Sequence, residues 1–278
     1  MCPDPAAVTR PKAVVTDLDG TIVRSDETVS EATVAAVTAL RAAGVPLIAA
    51  TARTPAGLTV LGPLLAEISA AVCCNGAIGL GPAGVGVLWQ HWLADMAVSD
   101  LADFLAATWP EAGLGSYDGA SWLLTPQYYS ARGRRPRGPQ YVVPVAELRE
   151  RPASAIAVCH PWLAASAVVA KLTASGVLAG RATIDFGADD VVDIAPPGVT
   201  KGSGVRTALE HLRIEPAAAI AFGDGRNDLP VVAVVGQFVA MAGGDPGLLA
   251  AAAIATGSVA DDGFADFLQP FLGCGSCP

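Results

Sequence analysis

A short apolar run that ends in two carboxylates constrains this chain more than any other feature. The run covers residues 13–16 and leads directly into Asp17-Leu18-Asp19-Gly20-Thr21. Such a run is typical of a parallel strand that is buried on both faces, and open α/β sheets place their chemistry at the carboxyl ends of such strands. Gly20 permits a sharp turn there. The segment therefore predicts a site at which one carboxylate attacks and the other moves a proton.

Short apolar runs alternate with helical patterns in the first and last parts of the chain, which is typical of parallel βαβ units. The predicted core strands cover residues 12–17, 45–50, 70–74, 218–223, 237–241 and 252–256. The predicted helices cover residues 31–43, 55–68, 202–213, 227–235 and 246–252. Ser30 is expected to cap the first helix and Gly44 to end it. Gly62-Pro63 is a candidate break in the second helix.

The middle of the chain predicts a separate α+β module that is inserted between two halves of the parallel-sheet domain. Its predicted elements are strands at 85–93, 113–117, 121–125 and 154–159, helices at 99–108 and 162–175, and a hairpin at 181–187 and 190–195. We place the core domain at residues 1–83 and 190–278 and the inserted domain at 84–189. The glycine-rich stretch 76–86 is interpreted as a hinge into the inserted domain.

Composition limits the class of protein. A chain of 278 residues, with 52% hydrophobic residues, is long enough for two folded domains. The net charge of −9 argues against a nucleic-acid or anionic-membrane surface. No apolar segment reaches the ~20 residues of a membrane span, and no secretory leader is evident. We therefore expect a cytoplasmic monomer or homodimer. Cys274 and Cys277 form a C-x-x-C pair without a second ligand pair, for which we expect a frayed tail rather than a zinc or redox site, and no function is assigned to it.

Three more polar groups follow predicted strands or open a predicted helix. Thr51 follows the strand at 45–50, and its hydroxyl can donate to a phosphate oxygen. Lys201 opens a helix, where its charge and the helix N-terminus both favour an anion. The turn Gly223-Asp224-Gly225-Arg226-Asn227-Asp228 follows the strand at 218–223 and crowds two carboxylates together. Each feature alone is common, but all four in this order indicate one site.

These segments resemble motifs one to four of the haloacid-dehalogenase superfamily. The form of the last motif is similar to that of the Cof-type sugar-phosphate phosphatases, as are Asn75-Gly76-Ala77 and Asp262-Gly263-Phe264-Ala265. The resemblance covers the core nearly end to end. It implies an α/β fold with a Rossmann-like parallel-sheet core and an inserted α+β cap domain of type IIB.

The resemblance also implies a phosphoryl-transfer reaction. Asp17 would attack phosphorus and form an aspartyl-phosphate, while Asp19 would protonate the leaving group and later activate water. The cofactor Mg²⁺ would be held by Asp17, the Asp19 backbone carbonyl and Asp224. The phosphoryl oxygens would bind Leu18 through its amide, Thr51, Asn227 and Lys201, of which Lys201 also acts catalytically by spreading charge. Asp228 would fix Lys201 or a metal-bound water.

Specificity is expected from residues that face the substrate, because a core that binds only phosphate cannot distinguish one monoester from another. The candidates are Arg53, Asn75, Tyr128, Tyr129, Arg132, Arg134 and Arg135. The leading hypothesis is a Mg²⁺-dependent phosphatase of a small phosphorylated metabolite, most simply a sugar phosphate. The alternative is a phosphomutase-like phosphotransferase. A non-catalytic or receiver-like signalling module is more remote, because a receiver has no inserted domain and no second aspartate.

Overall fold

The computed structural model describes residues 10–131, 138–187 and 191–272 of the chain. They divide into two compact units, of which the first is drawn from Met1–Leu88 and Lys201–Pro278 and the second from Trp89–Thr200. The structure thus places the boundaries near residues 88 and 200, whereas the sequence placed them near 83 and 189. The later boundary moves because the strand at Val191–Ala195 pairs within the sheet of the second unit.

The first part of the chain supplies five of the eight strands of the larger sheet in the described residues. Its elements are β1 (Ala13–Thr16), α1 (Glu31–Ala42), β2 (Leu47–Ala50), β3 (Ile68–Cys73), β4 (Ile78–Leu80) and β5 (Val87–Gln90). The Ser30 side chain accepts a hydrogen bond from the Thr33 amide and caps α1, as predicted. The hinge prediction for residues 76–86 is wrong for Ile78–Leu80, because these residues form β4, which is buried and pairs antiparallel with β3 inside the first unit.

The second unit is an antiparallel-rich sheet with helices packed on it. Its elements are α2 (Asp95–Thr108), β6 (Gly113–Tyr117), β7 (Trp122–Leu124), α3 (Pro126–Ala131), β8 (Gln140–Val142), α4 (Val145–Arg149), β9 (Ala155–Cys159), α5 (Ala165–Ser175), β10 (Thr183–Phe186) and β11 (Val191–Ala195). The strand order is β10-β11-β9-β6-β7-β8. Apolar residues of α2, α4 and α5 share one buried cluster with alternate residues of β6, β9 and β11.

The last part of the chain returns to the first unit and completes its sheet. Its elements are α6 (Lys201–His211), β12 (Ala219–Gly223), α7 (Leu229–Val232), β13 (Gln237–Met241), α8 (Pro246–Ala251), β14 (Ile254–Thr256) and α9 (Gly263–Leu272). The strand order is β14-β13-β12-β1-β2-β3-β4-β5. From β14 to β3 all neighbours are parallel. The central strand β1 is fully buried, as its apolar sequence predicts.

The segment Pro55–Glu67 departs from the predicted α-helix. It forms 3₁₀ turns that are interrupted at Gly62, whose φ is +52° and which precedes Pro63. Proline disfavours helical backbone at the preceding residue, so the candidate break at this dipeptide is confirmed. Among the described residues, no helix has the length and apolar character needed to cross a bilayer.

Candidate active site

The topology of the first unit brings three strand ends to one place. β1 lies between β12 and β2, in register Thr16 with Phe222 and Thr16 with Ala49. Asp17 follows β1 directly, and its amide donates to the Phe222 carbonyl at 2.9 Å. Thr51 follows β2, and Asp224 follows β12. The carboxyl edge of a parallel sheet therefore carries all three side chains, as the sequence pattern predicts.

A buried lysine joins two aspartates at this edge. The Lys201 Nζ donates to Asp17 Oδ1 at 3.0 Å and to Asp228 Oδ1 at 2.7 Å. All three residues are buried, with exposed fractions of 0% for Lys201, 7% for Asp17 and 1% for Asp228. Burial disfavours the charged amine, but the two carboxylates outweigh burial and raise the pKa of Lys201. Lys201 therefore supplies a permanent positive charge beside Asp17.

Asp228 orders the turn that follows β12. Its Oδ2 accepts hydrogen bonds from the backbone amides of Asp224 at 3.1 Å and Gly225 at 3.0 Å, while its Oδ1 accepts one from Lys201 Nζ. Both oxygens thus have donors within the protein. Asp228 therefore holds the turn and Lys201 in place, and it has little capacity left to bind an ion directly.

Asp17 and Asp224 form the part of the cluster that suits a cation. One carboxylate oxygen of each, with one of Asp228, lies within 4.8 Å of the others. Burial raises the pKa of Asp17 well above its usual range, and Asp228 and Asp224 raise it further against the opposing effect of Lys201. Burial and Asp228 raise the pKa of Asp224 to about 6. Crowded, partly desolvated carboxylate oxygens of this kind fit a hard divalent cation such as Mg²⁺.

Asp19 takes part in a different interaction, an ion pair with Arg53. The Arg53 Nε donates to Asp19 Oδ2 at 2.7 Å, and Nη2 donates to Oδ1. The same guanidinium lies 3.9 Å from Glu27 Oε1. The Asp19 side chain is 54% exposed and the Arg53 side chain only 13%. Arg53 therefore orients the carboxylate of Asp19 within the first unit, although the sequence placed it among the residues that read the substrate.

Hydrogen bonds connect the loops that carry Thr51, Asn75 and Asn227. The buried Thr51 Oγ1 accepts the Arg53 amide at 3.1 Å, and the Thr51 carbonyl accepts the Asn75 amide at 3.1 Å. The Asn227 Nδ2 donates to Asn75 Oδ1 at 3.1 Å. Leu18 is buried. The predicted site residues of the first unit thus lie on contiguous loops.

The prediction for Tyr128 is wrong. Its side chain is 2% exposed and packs within the second unit against Leu124, Ala157, Cys159 and Val191. Gly113 allows this packing, because a Cβ there would collide with the Tyr128 backbone. Tyr128 is therefore a core residue. Arg132, Arg134 and Arg135 lie outside the described residues.

Sequence reasoning missed Glu27, which approaches Arg53 from a turn. Its φ of +66° is unusual for a residue with a side chain, and its amide donates to the Arg24 carbonyl at 2.9 Å. No sequence signal distinguishes Glu27 from the other polar residues of that loop.

The buried Cys73 is not a reactive group, because burial raises the pKa of its thiol to about 12.

The fold and the site together define a parallel-sheet enzyme with a carboxylate–lysine centre. The chain belongs to the haloacid dehalogenase-like hydrolases, because the model of that family matches residues 14–268. The predicted membership in the Cof-type phosphatases of this superfamily is confirmed, and so is the predicted fold class of a Rossmann-like core with a type IIB cap.

A relative and a solved structure that match most of the chain agree with this assignment, and a third match covers only part of it. The chain is 26% identical over 238 residues to an HMP-PP phosphatase of Cronobacter sakazakii, which covers 84% of this chain and 85% of the relative. A solved HAD subclass IIB sugar phosphatase superposes with a TM-score of 0.78 at 20% identity, covering 93% of this chain and 98% of that one. A chloroplastic endoribonuclease YBEY of Arabidopsis thaliana is 34% identical over 91 residues, but these span only 33% of this chain and 16% of that protein.

Proposed function

We propose that this phosphatase is Mg²⁺-dependent and hydrolyses a small phosphorylated metabolite, most simply a sugar phosphate, through an aspartyl-phosphate on Asp17. The observation that carries the proposal is the position of Asp17, which is buried 3.0 Å from the Lys201 ammonium and lies beside the half-buried Asp224. A nucleophile, a fixed positive charge and a cation-binding carboxylate are the groups that phosphoryl transfer requires.

The first half-reaction would form the covalent intermediate. A carboxylate oxygen of Asp17 attacks phosphorus, the bond from phosphorus to the leaving oxygen breaks, and Asp19 gives a proton to that oxygen. Lys201 and Thr51 would bind the oxygens of the phosphoryl group, together with the Leu18 amide and Asn227. Lys201 stays charged throughout, since Asp17 and Asp228 raise its pKa.

The second half-reaction would release phosphate. Asp19 takes a proton from water, the water oxygen attacks phosphorus, and the bond to Asp17 breaks. Arg53 contacts both Asp19 oxygens, so Asp19 gives up part of this ion pair whenever it carries or transfers a proton. The exposed position of Asp19 suits a group that exchanges protons with substrate and water.

Asp17 and Asp224, with the Asp19 backbone carbonyl, are the groups that would hold Mg²⁺. When bound, the ion would neutralise repulsion between the carboxylates and the substrate phosphate, which amounts to about 4 kcal/mol per pair of unit charges at ~4 Å and an effective dielectric near 20. Asp228 would not bind the ion itself. It would hold Lys201 and the turn that carries Asp224 in position through its three hydrogen bonds.

The names of similar proteins indicate which classes of substrate to consider. One relative is named an HMP-PP phosphatase and one structural neighbour a sugar phosphatase. We take the two names as the candidate substrate classes for this chain. We expect the inserted unit to choose between them, and Arg132 and Arg134 remain candidates for that choice.

The central test is phosphate release from p-nitrophenyl phosphate with and without Mg²⁺. We expect Mg²⁺-dependent turnover, removed by EDTA and by Asp17→Asn, which keeps the shape but loses the nucleophile. Asp95→Asn, an exposed carboxylate in the second unit, serves as the matched control and keeps full activity. Acid-quenched wild type should carry a phosphoryl group on Asp17. Full activity in Asp17→Asn would refute the nucleophile.

Product analysis separates hydrolysis from the phosphomutase-like alternative. With a sugar monophosphate as substrate, the proposed phosphatase yields inorganic phosphate and the free sugar in equal amounts. A phosphotransferase would instead return the phosphoryl group to another hydroxyl and yield an isomeric sugar phosphate with little inorganic phosphate. A panel of phosphorylated metabolites, including sugar phosphates and HMP-PP, would identify the preferred substrate.

A further inference from the structure

We propose that Asn75 is a positioning residue for phosphoryl transfer, which it serves by fixing the loops that carry Asn227 and Thr51. This inference rests on the proposed function, in which those two side chains bind the phosphoryl group. It gives Asn75 a role in the first unit that differs from the substrate-reading role expected from the sequence.

Two hydrogen bonds connect Asn75 to these loops. Its side-chain oxygen accepts from Asn227 Nδ2 at 3.1 Å, across 152 positions of the chain. Its backbone amide donates to the Thr51 carbonyl at 3.1 Å. The first bond fixes the plane of the Asn227 amide and therefore the direction of its remaining donor and acceptor. The second fixes the backbone from which the Thr51 hydroxyl projects.

The backbone around Asn75 is arranged for this connection. Cys74, Asn75 and Gly76 have φ values of +50°, +49° and +108° in succession. Asparagine is one of the few residues with a side chain that adopts this left-handed region readily. The turn is held on its other side by the Cys74 amide, which donates to the Arg53 carbonyl at 2.9 Å. The turn thus positions the Asn75 side chain so that its oxygen contacts Asn227.

The same turn also touches the helix that begins with Lys201. A Cβ at Gly204 would lie 2.7 Å from Gly76 Cα and 2.5 Å from Val72 Cγ1, so α6 approaches the turn closely. The turn 74–76 therefore contacts the three elements that supply Thr51, Lys201 and Asn227. Since Asn75 is only 4% exposed, we assign it to this framework rather than to contact with the leaving group.

The experiment compares Asn75→Gly with wild type on p-nitrophenyl phosphate and on a second substrate with a different leaving group. Glycine keeps the left-handed turn, so the variant removes only the side chain. We expect KM to rise about tenfold on both substrates, as for one lost hydrogen bond, with a small change in kcat. Calorimetry with inorganic phosphate and Mg²⁺ should give an equal loss of affinity. Ala83→Gly, another turn residue with positive φ, is the matched control and should change neither value.

A double-mutant cycle tests whether Asn75 acts through Asn227. We expect Asn75→Gly to have little further effect on phosphate affinity in an Asn227→Ala background. Additive effects would overturn the proposal, and so would a rise in KM confined to one of the two substrates. Asn75→Ser, whose hydroxyl is too short to reach Asn227, provides the same test if the glycine variant does not fold. An inactive wild type would refute the proposed function, whereas an active wild type with unchanged Asn75 variants would refute this inference alone.

Discussion

Gly20 illustrates how closely single residues are fitted to the site. Its φ is +77°, and a Cβ at this position would collide with Asp224 Oδ2. We expect Gly20→Ala to lower kcat/KM by at least about tenfold, because Asp224 must move away from the position that it shares with Asp17. The free energy of unfolding should fall by about 1 kcal/mol from the backbone conformation alone.

Gly44→Ala is the matched control for this prediction. Its φ of +70° is nearly the same, but a Cβ there meets nothing within 4 Å. Thermal unfolding should show a similar loss of stability in both variants, and steady-state kinetics should show a loss of activity only in Gly20→Ala. Equal activity in the two variants would mean that the side chain of Asp224 does not need its observed position.

Sequence reasoning located individual residues well where a motif and a strand end coincide. Asp17, Thr51 and Asp224 lie on the predicted edge of the sheet, and Lys201 opens a helix and contacts Asp17 there. It was wrong for Tyr128, because a tyrosine in a polar stretch gives no sign that a glycine on a neighbouring strand makes room for it. It also missed Glu27, whose approach to Arg53 depends on one backbone angle in a turn.

At the scale of elements, the position of α6 depends on its two glycines. Alanine normally stabilises a helix interior by about 1 kcal/mol over glycine. At Gly204 we expect the opposite sign, because a Cβ would press against Val72 Cγ1 at 2.5 Å and Gly76 Cα at 2.7 Å. Gly204→Ala should therefore displace the start of α6 and with it Lys201. We expect a loss of about 1–3 kcal/mol in stability and a clear loss of phosphatase activity.

Glu210→Ala in the same helix is the control, because Glu210 is exposed and the substitution raises helix propensity without a new contact. Chemical denaturation measures both variants. A stabilised Gly204→Ala protein would show that α6 has room to accept the methyl group and that its close approach to the 74–76 turn does not constrain Lys201.

Elements with a clear hydrophobic pattern were predicted from the sequence, whereas short or irregular elements were not. The parallel strands were recognisable because burial on both faces demands uninterrupted apolar runs. The segment Pro55–Glu67 was predicted as helix because its apolar content is high, yet Gly62-Pro63 divides it into 3₁₀ turns. The helix α9 was missed, since Pro270 lies inside it. β8 and α4 are too short to carry a pattern.

At the scale of the whole molecule, the proposed site shares the excess of acidic over basic groups that the chain has as a whole. The net charge of the chain is −9, and among the described residues Asp17, Asp224 and Asp228 share one cluster with Lys201, in which Asp224 is half-buried and the other three are buried. Two like unit charges about 5 Å apart repel by roughly 3 kcal/mol at an effective dielectric of 20. The metal-free protein therefore carries an electrostatic cost that a divalent cation would remove.

Thermal unfolding of the full chain tests whether a divalent cation relieves the repulsion between these carboxylates. We expect Mg²⁺ to raise the melting temperature of wild type, with a stabilisation of about 2.7 kcal/mol at a concentration one hundred times its dissociation constant. Asp224→Asn should lose most of this effect, because it removes one of the two carboxylates that would hold the ion. Without Mg²⁺ the same variant should be more stable than wild type by about 1 kcal/mol, since it relieves the repulsion that solvent only partly screens.

The two effects have opposite signs, which makes the prediction specific. A structural role for Asp224 would make Asp224→Asn less stable with and without the ion, whereas a metal-binding role makes it more stable without the ion and insensitive to it. Asp95→Asn, at an exposed position in the first turn of α2, should gain as much stability from Mg²⁺ as wild type does. If Mg²⁺ stabilises Asp224→Asn as strongly as wild type, the ion binds elsewhere and the carboxylates at the ends of β1 and β12 do not form its site.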